Sequence, residues 1–160
     1  KEHLLNEVFR GTQRWATGVV KEVDADRTLK APERLARIAR RFVETAERDP
    51  AGARMLLRQR DGKFLDAPSR DAAREFREAV QQIVAAGKAD GMVRAGPAEL
   101  WTSVWLVILA FIIERVSARE WTMDQPQVAQ AIEAAWSAIA APAPPAPGKT
   151  SSPEGPAAEG

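Results

Sequence analysis

The chain reads as an all-α protein, a helical bundle of about six helices with no convincing strand. Three observations carry that reading. Apolar residues recur at three- and four-residue steps over most of the chain, the period of one helix face. Helix-breaking pairs fall only between those periodic stretches, at Asp49-Pro50, Asp61-Gly62, Asp90-Gly91 and Gly96-Pro97. From Val104 to Ile113 every residue is apolar, and a helix with no polar face must be covered on all sides.

The first helix is expected over about 2–23, with Leu4, Leu5, Val8, Phe9, Trp15, Val19, Val20 and Val23 on its apolar side. The second starts near Pro32, carries Leu35, Ile38, Phe42 and Val43 inward, and stops at Asp49-Pro50 because the residue before proline disfavours helix. Its other face (Arg34, Arg37, Arg40, Arg41, Glu44) reads as solvated charge. A short third helix over about 51–60 holds Met55, Leu56 and Leu57, and a loop with Phe64 and Leu65 follows. Ser69 is the expected cap of the fourth, whose inner stripe is Phe76, Val80, Ile83, Val84 and Gly87. The fifth spans about 97–118, opened by Gly96-Pro97. The sixth spans about 124–140, with small residues (Ala129, Ala131, Ala134, Ala138) that permit close helix contact. Residues 1–141 make one domain of ordinary size, and residues 142–160, dominated by Pro, Ala, Gly and Ser, are expected to be a disordered tail.

Composition excludes several function classes. Lys and Arg total 23 against 22 Asp and Glu, so this stretch carries no basic surface fit to hold nucleic acid by itself. There is no cysteine and one histidine, His3 at the chain start, which removes disulfides, thiolate or histidine metal sites and a Ser-His-Asp triad. No catalytic residues, metal or cofactor are expected. The run from Trp101 to Ile113, at roughly 13 residues, falls short of the about 20 that cross a bilayer, so no membrane association is expected and a cytoplasmic setting is. One side of the fifth helix can be buried in its own domain; a second copy of the chain is the natural cover for the other.

Two motifs carry a family likeness. Lys1-Glu2-His3-Leu4-Leu5, followed by Val8-Phe9, resembles the entry to the first helix after the DNA-binding domain in tetracycline-repressor-like (TetR) regulators. Gly87-Lys88-Ala89-Asp90-Gly91-Met92-Val93-Arg94, followed by Gly96-Pro97, resembles that family's join between a long ligand-domain helix and the first dimerisation helix. Helix order, helix lengths and the final helix pair fit over about residues 1–140. The resemblance implies a ligand-binding and dimerisation domain. It also implies a homodimer whose last two helices form a four-helix bundle, and operator DNA as partner through a helix-turn-helix module that would precede Lys1.

A cavity lined by Trp15, Phe42, Met55, Phe64, Phe76, Val80, Ile83, Trp101, Trp105 and Leu109 is the expected ligand site, since aromatic walls suit apolar or planar molecules. Val104, Ile108, Phe111, Glu114 and Arg115 on the fifth helix, with Val128, Ile132, Ala135, Trp136 and Ile139 on the sixth, are the expected dimer interface. The apolar positions among these also read as ordinary core, and Glu114 and Arg115 read first as the wet rim of the apolar run and second as a pair within the dimer. The function expected is the effector-sensing part of a TetR-like regulator, most often a repressor in that family, answering to a small apolar or aromatic ligand. A ligand-free helical dimerisation module has the same composition and stays open beside it.

Overall fold

The computed structural model describes residues 1–57 and 63–148. The described residues form six helices: α1 (Glu2–Asp24), α2 (Ala31–Arg48), α3 (Pro50–Leu56), α4 (Ala67–Ala89), α5 (Ala98–Ser117) and α6 (Pro126–Ile139). The all-α expectation holds. The expected C-terminal part of the third helix, with Asp61-Gly62 as its stop, falls largely in 58–62 and lies outside the described residues. Of the expected tail, 142–148 is exposed and irregular, and 149–160 lies outside the described residues.

α1 and α4 pack most extensively, and α5 touches α2, α3, α4 and α6. The core sits where these meet. Phe42, Leu35, Ile38, Val80, Ile83 and Ile112 are all fully sealed from solvent. α2 shows why the period matters: Leu35, Ile38, Ala39, Phe42, Val43 and Ala46 each have partners three or four residues away on the same face, and each is at most 1% exposed. α5 has 20 residues and a mean hydropathy of 1.7, long and apolar enough by length and composition to cross a membrane. This corrects the length argument made from the shorter apolar run. What distinguishes α5 here is its packing: Trp105, Leu109, Ile112, Ile113 and Val116 are buried against the other helices.

At the starts of α3 and α4 a side-chain acceptor takes an otherwise orphaned N–H group. Asp49 Oδ1 accepts from Gly52 N–H at 3.0 Å at the head of α3, and Asp66 Oδ1 accepts from Ser69 N–H at 2.9 Å at the head of α4. The cap of α4 is therefore Asp66 and not Ser69. Pro68 lies inside the first turn, where its missing N–H costs nothing, and Ser69 is buried one position further on. The expected solvated arginine face of α2 also needs one correction: Arg34 is buried, with Nη1 on Asp24 Oδ1 at 2.9 Å and Nη2 on the Asp26 carbonyl at 3.1 Å. It ties the α1–α2 turn to the head of α2.

α4 ends in a glycine-terminated turn. Gly91 takes φ 76°, and Met92 N–H reaches back to the Gly87 carbonyl at 2.9 Å. Gly87 itself is a close-approach position, since a Cβ there would stand 2.7 Å from the Ala31 Cβ and 3.0 Å from the Val93 Cγ2. The segment after this turn is pinned to the far end of α6. Arg94 N–H donates to the Ile139 carbonyl at 2.9 Å and Ala141 N–H to the Met92 carbonyl at 2.8 Å, around a single antiparallel bridge between Val93 and Ala140.

Candidate functional site: three clefts around a short helix

α3 has seven residues, about 10 Å of helix, set among neighbours of 18 to 23 residues. It buries only Ala53 and Leu56, so it cannot fill the space that longer helices leave open. Three clefts result. The first, about 310 Å³, lies between Gly11, Thr12 and Trp15 of α1, Phe42 and Thr45 of α2, and the Asp49–Leu56 stretch. The second, about 570 Å³, is bounded by Phe9 and Gln13 of α1, Leu56, Leu57 and Leu65, Ala73, Phe76 and Arg77 of α4, and Ser103, Leu106, Val107 and Ala110 of α5. The third, about 370 Å³, lies between Ala53, Arg54 and Leu57 and the α5 residues Ala110, Ile113 and Glu114. The clefts adjoin: the first shares Leu56 with the second and Ala53 with the third, while the second and third share Leu57 and Ala110. Volumes of this size suit small organic ligands.

Polar contacts tie the walls together. Gln13, 2% exposed, donates from Nε2 to the Leu56 carbonyl at 2.7 Å, so α1 holds the last turn of α3 directly. Near the start of α1, Asn6 Nδ2 donates to the Phe64 carbonyl at 3.0 Å, and its Oδ1 accepts from Asp66 N–H at 3.0 Å. Arg10 Nη1 contacts both oxygens of Asp66, at 3.0 and 2.8 Å. Hydrogen bonds from Ser69, followed by the Arg10 guanidinium, hold the Asp66 carboxyl down at about 2. These links fasten α1 to the head of α4.

The structure brings together only some of the expected ligand residues. Trp15 and Phe42 border the first cleft with ring centroids 5.5 Å apart, and Phe76, 5.9 Å beyond Phe42, borders the second. The three rings make a row through the wall between the clefts. Val80, Ile83, Trp105 and Leu109 border none of the three clefts; each is at most 1% exposed and serves as closed core. Met55 is half-buried on α3 and Phe64 is exposed, both outside the linings. Trp101 lies at the opposite end of α4, under the Arg94 guanidinium at 4.8 Å, with its indole N–H on the Ala95 carbonyl at 3.2 Å. The linings also include Gln13, Leu57, Leu65, Ala73, Arg77, Leu106 and Ala110, none of them among the expected ligand residues. A polar residue on the inward stripe of α1, between Phe9 and Ala16, was the one available signal, and it points to Gln13.

The expected interface divides in the same way. Val128, Ile132, Ala135 and Ile139 turn into the chain's own core, each at most 5% exposed, because the apolar stripe of a short amphipathic helix is taken up first by its own bundle. Trp136, Val104 and Ile108 are half-buried, and Glu114 and Arg115 are exposed. On α5, Leu100, Val107 and Phe111 stand out with 47%, 61% and 44% exposure, on the side that also carries Val104 and Ile108. Phe111 is flanked by Trp121, edge-on at 5.5 Å, and by the Arg115 guanidinium at 5.1 Å, itself ion-paired with Glu120.

Among the described residues no group of three or more His, Cys, Asp or Glu side chains could hold a metal ion. Residues 13–141 match the family model described as tetracyclin repressor-like, C-terminal domain. No curated protein matches the chain.

Proposed function

The chain belongs to the tetracycline-repressor-like C-terminal domain family, and we propose that it is the effector-sensing and dimerising half of a cytoplasmic transcriptional repressor whose operator binding is released by a small, largely apolar ligand. The observation that carries this reading is the placement of α3. It stands between three adjoining clefts and is hydrogen-bonded by Gln13 to α1, the helix that follows the DNA-binding module in this family. A molecule entering the clefts changes how α3 seats against α1. Movement of α1 then alters the separation of two recognition helices, which must stay about one DNA turn apart to enter successive major grooves. The ligand acts only through its difference in affinity for the two arrangements; a 100-fold preference is worth about 2.7 kcal/mol. No catalytic step is involved.

In this reading the outer flank of α5 (Leu100, Val104, Ile108, Phe111) and the outward residues of α6 (Ala131, Trp136) meet their counterparts in a second copy, an arrangement supported by the apolar residues left exposed there. Two measurements test it. Operator affinity of the full-length regulator falls when a matching apolar ligand from a broad panel is added; affinity unmoved across the panel refutes the sensing role. Phe111→Asp converts the dimer to a folded monomer in sedimentation, and a dimer that survives the substitution removes this flank from the interface.

A further inference from the structure

We infer that the effector is an elongated amphiphile with an anionic head, its carboxylate received by Arg77 and its apolar body laid along α5. The inference rests on the reading of the clefts as the effector site.

Arg77 is half-buried on α4 in the wall of the largest cleft, among Phe76, Leu65, Leu106 and Val107. Its Nη1 donates to Ser103 Oγ at 3.3 Å, at the long end of the hydrogen-bond range. That hydroxyl donates in turn to the Glu99 carbonyl at 3.0 Å, so its proton is engaged and a lone pair faces the guanidinium. Among the described residues no carboxylate comes within 4.0 Å of Arg77, whereas Arg10, close by on α1, is spent on Asp66. A guanidinium has five N–H donors. Among the described residues one of them is engaged, and Arg77 lines a cleft bounded mainly by apolar side chains, where a charged acceptor is worth about twice a neutral one. Ser103 holds the planar fork in place, the geometry that suits a two-oxygen acceptor.

The body of the ligand follows from the shape. The second and third clefts join at Leu57 and Ala110 and run along α5 from Ser103 to Glu114, about 16 Å of helix. The far end carries Glu114, which repels a second anionic group and sets the direction: head at Arg77, neutral tail toward Ile113.

Calorimetric titration of the chain with matched pairs, decanoate against decan-1-ol and octanoate against octan-1-ol, tests this. Each acid binds at least tenfold tighter than its alcohol. Arg77→Met brings the acid to within about threefold of the alcohol and leaves the alcohol unchanged, while Arg74→Met, exposed on the same helix, preserves the preference. Equal binding of acid and alcohol to the unmodified chain overturns the inference whether or not the Arg77 variant folds, and so does loss of the preference in Arg74→Met, which marks it as general surface charge. Alcohols or uncharged aromatic compounds that bind while the acids gain nothing leave the effector-site reading standing and remove only the anionic head. No binding by any of the four probes overturns the inference, and the effector-site reading is then decided by the broad panel against operator affinity.

Discussion

Two apolar faces of α5, apart from its outer flank, have different fates. On one, Trp105, Leu109 and Ile112 are at most 1% exposed; on the other, Leu106, Val107 and Ala110 border open clefts. The difference comes from the neighbours. α2 brings 18 residues and eight buried side chains, Leu35, Ile38, Phe42 and Val43 among them, whereas α3 brings seven residues and two buried side chains. Among the described residues the open clefts thus arise beside a helix too short to fill its place, with no special lining chemistry needed to create them.

The sharpest way to break this comparison is to shorten one side chain on each flank. Leu109→Ala removes fully packed methyl groups and is expected to cost about 2–5 kcal/mol in urea unfolding, while Leu57→Ala, already at a cleft edge, costs less than about 1 kcal/mol. Equal losses would mean that the clefts are closed in solution. Next in size is Gln13→Ala. It strips the Leu56 carbonyl of its donor, with an expected cost of about 1–3 kcal/mol. Amide exchange in α3 should quicken while the middle of α4 stays protected; uniform quickening would deny α3 its separate, weakly held character.

The smallest effect concerns the Asp66 latch between α1 and α4. Its carboxyl sits at about 2 against an ordinary 3.8, so the folded state prefers it ionised. The resulting stabilisation is complete above the unfolded value and is lost as pH falls through the folded one. Asn at this position keeps a cap acceptor but loses the charge facing Arg10. The melting temperature of Asp66→Asn should therefore lie below that of the unmodified chain at neutral pH, with the gap closing between about pH 4 and pH 2. A gap independent of pH would assign the effect to the cap alone.

Much of the bundle was legible in the sequence, because apolar period and breaker pairs act locally. Leu35, Ile38 and Phe42 announce α2, and Asp90-Gly91 announces the end of α4. Boundaries were less so: Asp66 and Ser69 are both good caps, and only the position of Pro68 inside the turn decides between them. The clefts were least legible. Their linings draw on small or mixed residues such as Gly11, Thr12, Ala73 and Ala110, which give no periodic signal, while the large aromatic Trp105 is drawn into close packing. In the sequence Arg77 is one charged residue among several on the fourth helix, with Arg70, Arg74 and Glu78 beside it. Its meaning depends on what α5 places opposite it.

The bridge between Val93 and Ala140 has a practical consequence. Because Ala141 is tied to Met92, whatever continues from α6 leaves the bundle beside the α4–α5 turn, about 20 Å along α4 from Arg77. A fluorophore or a surface tether attached beyond that knot would report on the protein, or anchor it to a sensor chip, without crowding the openings of the three clefts.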